Sequence, residues 1–237
     1  MEMRDILLYL TLKHQGNWEK IYNDIASKTF YNDKDINETV ENFKGNFITI
    51  VDKEYPTKLK NTWKPPFVLF YEGDINLIKK DNIISVSCTR TPNDKDFENA
   101  KGLLENDQDL TYLIGSLKNP MDKYVLSLKQ PKIAILGHSF MEKSVLENYD
   151  NCDLVLTECP PNKFMDNNTM VQRTRIIAGL LDKELVISGE NLSSTEIIVN
   201  EALTLGKDIL VVPNKAKLNI VLLDEGAIPC VRPQQLA

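Results

Sequence analysis

Short apolar runs recur along this chain from residue 47 onward. They are "FITIV" (47–51), "FVLFYEG" (67–73), "IISVS" (83–87), "LTYLIG" (110–115), "KIAILG" (132–137), "LVLTE" (154–158), "ELVIS" (184–188) and "DILVVP" (208–213). Each is the length of a strand, and most are apolar at consecutive positions, as strands buried on both faces are. Segments with helical spacing separate most of them: 96–106, 121–129, 141–149, 171–181 and 194–206. Strands alternating with helices predict a parallel sheet covered on both sides. The fold class is therefore α/β, a doubly wound and mostly parallel Rossmann-like sheet, over residues 46–237.

The first 45 residues follow another rhythm. Ile6, Leu7, Tyr9, Leu10 and Leu12 fall near a helical period, as do Trp18, Ile21, Tyr22 and Ile25, and "DKDINETVENF" (33–43) gives a third helix. Residues 1–45 are expected to form a small helical appendage.

Length and charge narrow the function. A chain of 237 residues holds one large domain with a small addition. The net charge of −6 is unlike that of a basic nucleic-acid binder, yet a local basic cleft remains compatible with it. The four cysteines form no C-x-x-C pair and there are two histidines, so no metal site is expected and the thiols are expected to be free. The N-terminus lacks the shape of a cleavable signal, and its apolar run is too short to span a bilayer. A cytoplasmic protein with no membrane association is expected.

In a doubly wound sheet, ligands bind outside the carboxyl ends of the strands. The loops at those ends share one chemistry: small residues, hydroxyls and scattered cations. They carry Arg90, then Ser116 and Lys118, then Gly137 and His138, then Lys163, then Ser193, Ser194 and Thr195. Helix N-termini there offer free N–H groups suited to phosphate. Capping accounts for Ser193–Thr195 as readily as anion binding does.

The segment "MVQRTRIIAGLL" (170–181) sets Arg173 and Arg175 at the mouth of an apolar run, in what reads as the first turn of a helix. Cations there oppose the helix dipole. Two readings stand: ion pairing with a carboxylate across the domain, or a guanidinium fork for phosphate. Catalytic and cofactor signatures are missing. The chain has no Walker A loop, no G-x-G-x-x-G, no H-E-x-x-H and no G-x-S-x-G. Neither catalytic residues nor a cofactor are expected.

Taken in order, five stretches resemble the DprA/Smf family of DNA-processing proteins. They are "DKEYPTKLKNTWKPPFVLFYEGD" (52–74), "LTECPP" (156–161), "RTRIIAGL" (173–180), "EALTLGKDILVVP" (201–213) and "LDEGAI" (223–228). The resemblance implies a Rossmann-like core and single-stranded DNA as ligand, bound without sequence preference. It also implies a homodimer, a RecA-type recombinase as partner, and service in recombination and natural transformation without turnover. It places Arg173 and Arg175 in the cleft that holds the DNA backbone.

The loops depart from the family pattern. Two loop glycines read Ser116 and Pro120 here, and proline removes an N–H that would cradle phosphate. A further glycine is Ser139, and Glu196 adds a negative charge. Lys118, Lys163 and Lys215 are candidates to compensate, and Phe140 and Phe164 to stack on bases. Two other readings therefore stand beside DNA binding: a nucleotide sensor or enzyme of related fold, and a binding-impaired relative that acts through protein contacts.

Overall fold

The described residues of the computed structural model are all but 1, 116–118, 140–148, 162 and 164–166, with the backbone alone for 167–170. They form one nine-stranded sheet. Its strands are β1 (Asn46–Thr49), β2 (Val68–Gly73), β3 (Ile83–Ser87), β4 (Thr111–Ile114), β5 (Lys132–Leu136), β6 (Leu154–Thr157), β7 (Lys183–Val186), β8 (Asp208–Val211) and β9 (Ile228–Pro229). The spatial order is β1-β2-β6-β5-β4-β3-β7-β8-β9. Every pairing from β6 to β9 is parallel, while β1–β2 and β2–β6 are antiparallel. All eight strands expected from the sequence are present in a mostly parallel α/β sheet. The ninth is two residues long, too short to show a period.

Parallel neighbours need crossover helices. Among the described residues these are α5 (Asp94–Leu104), α6 (Pro120–Leu126), α7 (Asn167–Leu180), α8 (Ser194–Thr204) and α9 (Lys217–Asp224), and α4 (Thr57–Lys60) is a single turn. One sheet face packs Leu113, Ile133, Ile135, Val186 and Ile209 against Ile176, Ile177, Val199 and Leu218 from α7, α8 and α9. The other packs Tyr112, Ile114, Leu185 and Leu210 against Ala100, Leu104, Met121 and Val125 from α5 and α6. Both faces of the sheet are thus covered, as the continuous apolar runs require.

The N-terminal helical region is present as α1 (Met3–Lys13), α2 (Trp18–Ala26) and α3 (Asp33–Asn42). Asn17 and Asn32 cap α2 and α3, accepting from the backbone N–H of Lys20 and Lys34. Leu7 and Leu8 of α1 share a core with Val68, Phe70, Ala134, Leu136 and Val155 of the sheet. Trp18 stacks on Phe67 at 5.1 Å, and its Nε1 donates to the carbonyl of Pro65. Gly16, at φ +70°, lets the α1–α2 turn reach the loop after β6, where a Cβ would stand 3.0 Å from Pro160.

From β3 the chain winds outward through β4, β5 and β6, then returns along α7 to β7 on the other side of β3. The carboxyl ends of β3 and β7 form the topological switch point, where a doubly wound sheet opens a crevice.

Candidate nucleic-acid interface

A cleft of about 400 Å³ opens at that switch point. Its floor is Ser85 and Ser87 of β3, and its walls carry Asp122, Arg173 and Ile177, with Thr195 at the start of α8. Arg90, exposed just beyond β3, stands at the rim.

Local sequence explains each placement. Pro120 is the first residue of α6, where its missing N–H costs nothing. Asn119 caps that helix and donates through Nδ2 to the carbonyl of Cys88 at 3.2 Å, tying the end of the β4 loop to the end of β3. Ser193 caps α8, accepting from Glu196 N–H, and the Glu196 carboxylate accepts in return from Leu192 N–H. The Glu196 charge is thus engaged in a cap. Ser194 is exposed beside it, and Thr195 is buried.

The two arginines of 173–175 part ways. Helix α7 begins at Asn167, so both lie a turn or more inside it and not in its first turn. Successive helical residues turn about 100°, so side chains two apart point to nearly opposite sides. Arg173 faces the cleft, where its guanidinium donates to the carbonyl of Gly115. Its Nε has no hydrogen-bond partner among the described residues. Burial lowers its affinity for the proton, and Asp122 and Tyr149 raise it. Arg175 is 4% exposed and lies outside the cleft. It pairs with Glu158, at the end of β6, at 2.7 Å. Burial pushes the Glu158 carboxyl up, and Arg175 pulls it back toward ionisation.

Gly137, His138 and Lys163 lie farther along the same edge. Thr157 Oγ1 donates toward the carbonyls of Leu136 and His138, and Ser139 N–H donates to the carbonyl of Lys163. These bonds join the loops after β5 and β6, but they do not bring Lys163 or His138 into the cleft. Ser116, Lys118, Phe140 and Phe164 lie outside the described residues, as does most of the expected helix 141–149.

Two residues escaped the sequence reading. Asn219, wholly buried on α9, accepts from Gly189 N–H and donates to the carbonyls of Ile187 and Val212, fixing the loop after β7. An amide inside the apolar helix "LNIVLL" was the available signal. Glu184 of β7 is wholly buried beside Ser85 of β3. Burial raises its carboxyl to about 7, with Ser87 and Ser85 drawing it down and Asp122 pushing it up. A charged residue opening the apolar run "ELVIS" was its signal.

Comparison with known proteins identifies the family. The family model for DNA recombination-mediator protein A matches residues 46–227. The chain belongs to that family. DNA processing protein DprA of Bacillus subtilis is 29% identical over 179 residues, covering 71% of this chain and 60% of that protein. DprA of Streptococcus pneumoniae is 23% identical over 175 residues, covering 70% of this chain and 62% of that protein. The chain thus matches about 60% of the length of each of these relatives. The X-ray structure of the Streptococcus pneumoniae protein superposes with a TM-score of 0.73 at 22% identity, covering 98% of this chain and 92% of that one. The DNA processing protein A structure from Helicobacter pylori, described for its single-stranded DNA binding mode, gives 0.65 at 18% identity, covering 82% and 94%. The family membership agrees with the resemblance carried by the five sequence stretches. Among the described residues, no helix is long and apolar enough to cross a membrane.

Proposed function

We propose that this DprA-family chain binds single-stranded DNA by its phosphate backbone, with the switch-point cleft as the centre of contact. Arg173 carries this reading: its guanidinium lies on the cleft wall, its Nε has no partner among the described residues, and a guanidinium is the donor a phosphate would take. Arg90 and the hydroxyl of Ser194 extend the contact along the rim, and Lys163 continues it toward β6. Ser116 and Lys118 are proposed phosphate contacts as well. Arg175 acts as a positioning residue through Glu158. Family membership and the relative described for single-stranded DNA binding support the ligand class.

In this reading the protein is a non-catalytic, cytoplasmic mediator that protects single strands and helps load a RecA-type recombinase. Residues 1–45 serve as an appendage to the Rossmann-like domain at 46–237. It works as a homodimer, and the exposed apolar side chains Ile220, Val221, Ile228 and Val231 around β9 form the self-complementary face.

A fluorescence-anisotropy titration with labelled oligo-dT, at low and moderate salt and with a duplex control, tests the DNA reading. Salt-sensitive binding that prefers single strands and weakens in Arg173→Ala supports it. No binding at low salt overturns it and favours a nucleotide ligand or a role through protein contacts.

A further inference from the structure

We propose that binding of a phosphate-bearing anion in the switch-point cleft is coupled to uptake of a proton by Glu184, the carboxyl group sealed beneath the cleft floor. The proposal rests on the reading of the cleft as a phosphate site and adds to it a linked protonation.

The argument starts from strand register. Ser85 of β3 pairs with Glu184 of β7, so their side chains stand next to each other on the face covered by α7 and α8. Ser85 and Ser87 line the cleft above, and Glu184 is completely shielded from solvent beside them. The hydroxyls of Ser85 and Ser87 stand beside the carboxyl and partly offset its burial, but neither of its oxygens reaches a partner at good hydrogen-bond geometry among the described residues. A buried carboxylate in that position is costly, and protonation relieves the cost.

The surrounding charges make the group responsive. Asp122 of α6 lines the cleft and acts on both sides of it: its charge raises Glu184 and supports the charged form of Arg173. Arg173 of α7 is the cation of the cleft wall. Lys183, the preceding residue on β7, points to the other face, where its ammonium donates to the carbonyls of Gln235 and Leu236. The apolar side chains Ile177, Val199 and Ile209 complete the face around the carboxyl. An anion seated against Arg173 adds negative charge beside Asp122 and above Glu184. Like charge in a poorly solvated site disfavours the ionised carboxyl, so Glu184 takes up a proton. Burial already holds the group at about 7, so the change falls in the physiological range. Linkage is reciprocal: protonating Glu184 must tighten the anion.

Isothermal titration calorimetry decides the matter. Oligo-dT is titrated into the full chain at pH 7.5 in HEPES and in Tris, whose different ionisation enthalpies report protons exchanged on binding. Net proton uptake is expected, and Glu184→Gln should abolish it. Affinity of the parent should fall about fivefold between pH 7 and 8.5, while the variant stays flat, since one linked proton gives at most about tenfold per pH unit. Binding without proton uptake in the parent overturns the proposal, whether or not the variant folds. Equal uptake in the variant overturns it too. If oligo-dT gives no binding, the same titration with inorganic pyrophosphate separates the two ideas. Proton uptake with pyrophosphate that is lost in Glu184→Gln keeps the linkage while the DNA reading falls, and no Glu184-dependent uptake with either ligand removes both.

Discussion

Arg175 and Glu158 meet at 2.7 Å inside the protein, with side chains 5% and 12% exposed. The pair pins the middle of α7 to the end of β6, two elements that flank the return of the chain toward the switch point. One further nitrogen of Arg175 and the second oxygen of Glu158 are buried without partners among the described residues. Removing one member therefore strands a charge in the interior, which costs about 3–5 kcal/mol. Arg175→Met is expected to lower the free energy of unfolding by that order, and Arg175→Met with Glu158→Leu to recover most of it. Urea unfolding of the three proteins checks this. An Arg175→Met protein as stable as the parent yet defective in DNA binding would instead make Arg175 a phosphate ligand.

Arg173 and Arg90 carry the opposite expectation. Both line the cleft, and among the described residues neither forms a close ion pair with a carboxylate as Arg175 does with Glu158, so truncation removes a contact to ligand more than a contact to the fold. Each single change to Ala is expected to weaken oligo-dT binding about tenfold at moderate salt. Each should also flatten the slope of log K against log salt by about 0.7, the share of one single-strand phosphate contact. Anisotropy titrations at four salt concentrations, with circular dichroism to show retained folding, measure both quantities. Charge reversal at both Arg173 and Arg175 would mix binding with unfolding, and the single variants avoid that.

The arrangement of strands was legible because both of its signals are local. Runs such as "KIAIL" and "LVLT" are buried along their whole length, and the spacing of "STEIIVNEALT" is that of a helix between two of them. The extent of α7 was not legible. Its first turn, "NNTM", is mostly polar and lacks helical spacing, so the apolar run alone sets the expected start near the arginines. The divergence of Arg173 from Arg175 follows from 3.6 residues per turn and was open to reading. Which of the two met a carboxylate was not, because Glu158 lies 17 positions away and the contact exists only once β6 and α7 are packed. Glu184 was hidden for the same reason: its neighbour Ser85 is 99 positions earlier, and only strand register joins them.

Gly179, inside the stretch "RIIAGL", is explained by close packing. A Cβ there would stand 2.5 Å from Thr62 Cγ2 and 2.6 Å from Leu59 Cδ2, so α7 lies against α4 with no room for a methyl group. Leu59 is itself fully buried and cannot swing away. Gly179→Ala is expected to destabilise by about 1–3 kcal/mol, in spite of the better helix propensity of alanine. A thermal melt lowered by several degrees would show it. A melt unchanged or raised would mean that α4 shifts freely and is not part of the rigid frame.

Glu184 makes stability depend on pH with a definite sign. Its folded value of about 7 lies above its ordinary value of 4.5, so between those limits the folded protein holds more protons than the unfolded chain. The stability this carboxyl supports is then complete below about pH 4.5 and is lost as pH rises through 7. The span corresponds to roughly 3 kcal/mol, with the penalty fully developed above neutrality. Glu184→Gln keeps the shape and removes the charge. The variant is expected to match the parent within about 1 kcal/mol near pH 5 and to exceed it by roughly 2–3 kcal/mol at pH 8, allowing for the neighbouring hydroxyls. Urea unfolding at half-unit steps from pH 5 to 8.5 traces the difference directly. A constant offset across that range would mean that Glu184 stays in one protonation state, and the carboxyl beneath the cleft could then take no part in sensing what binds above it.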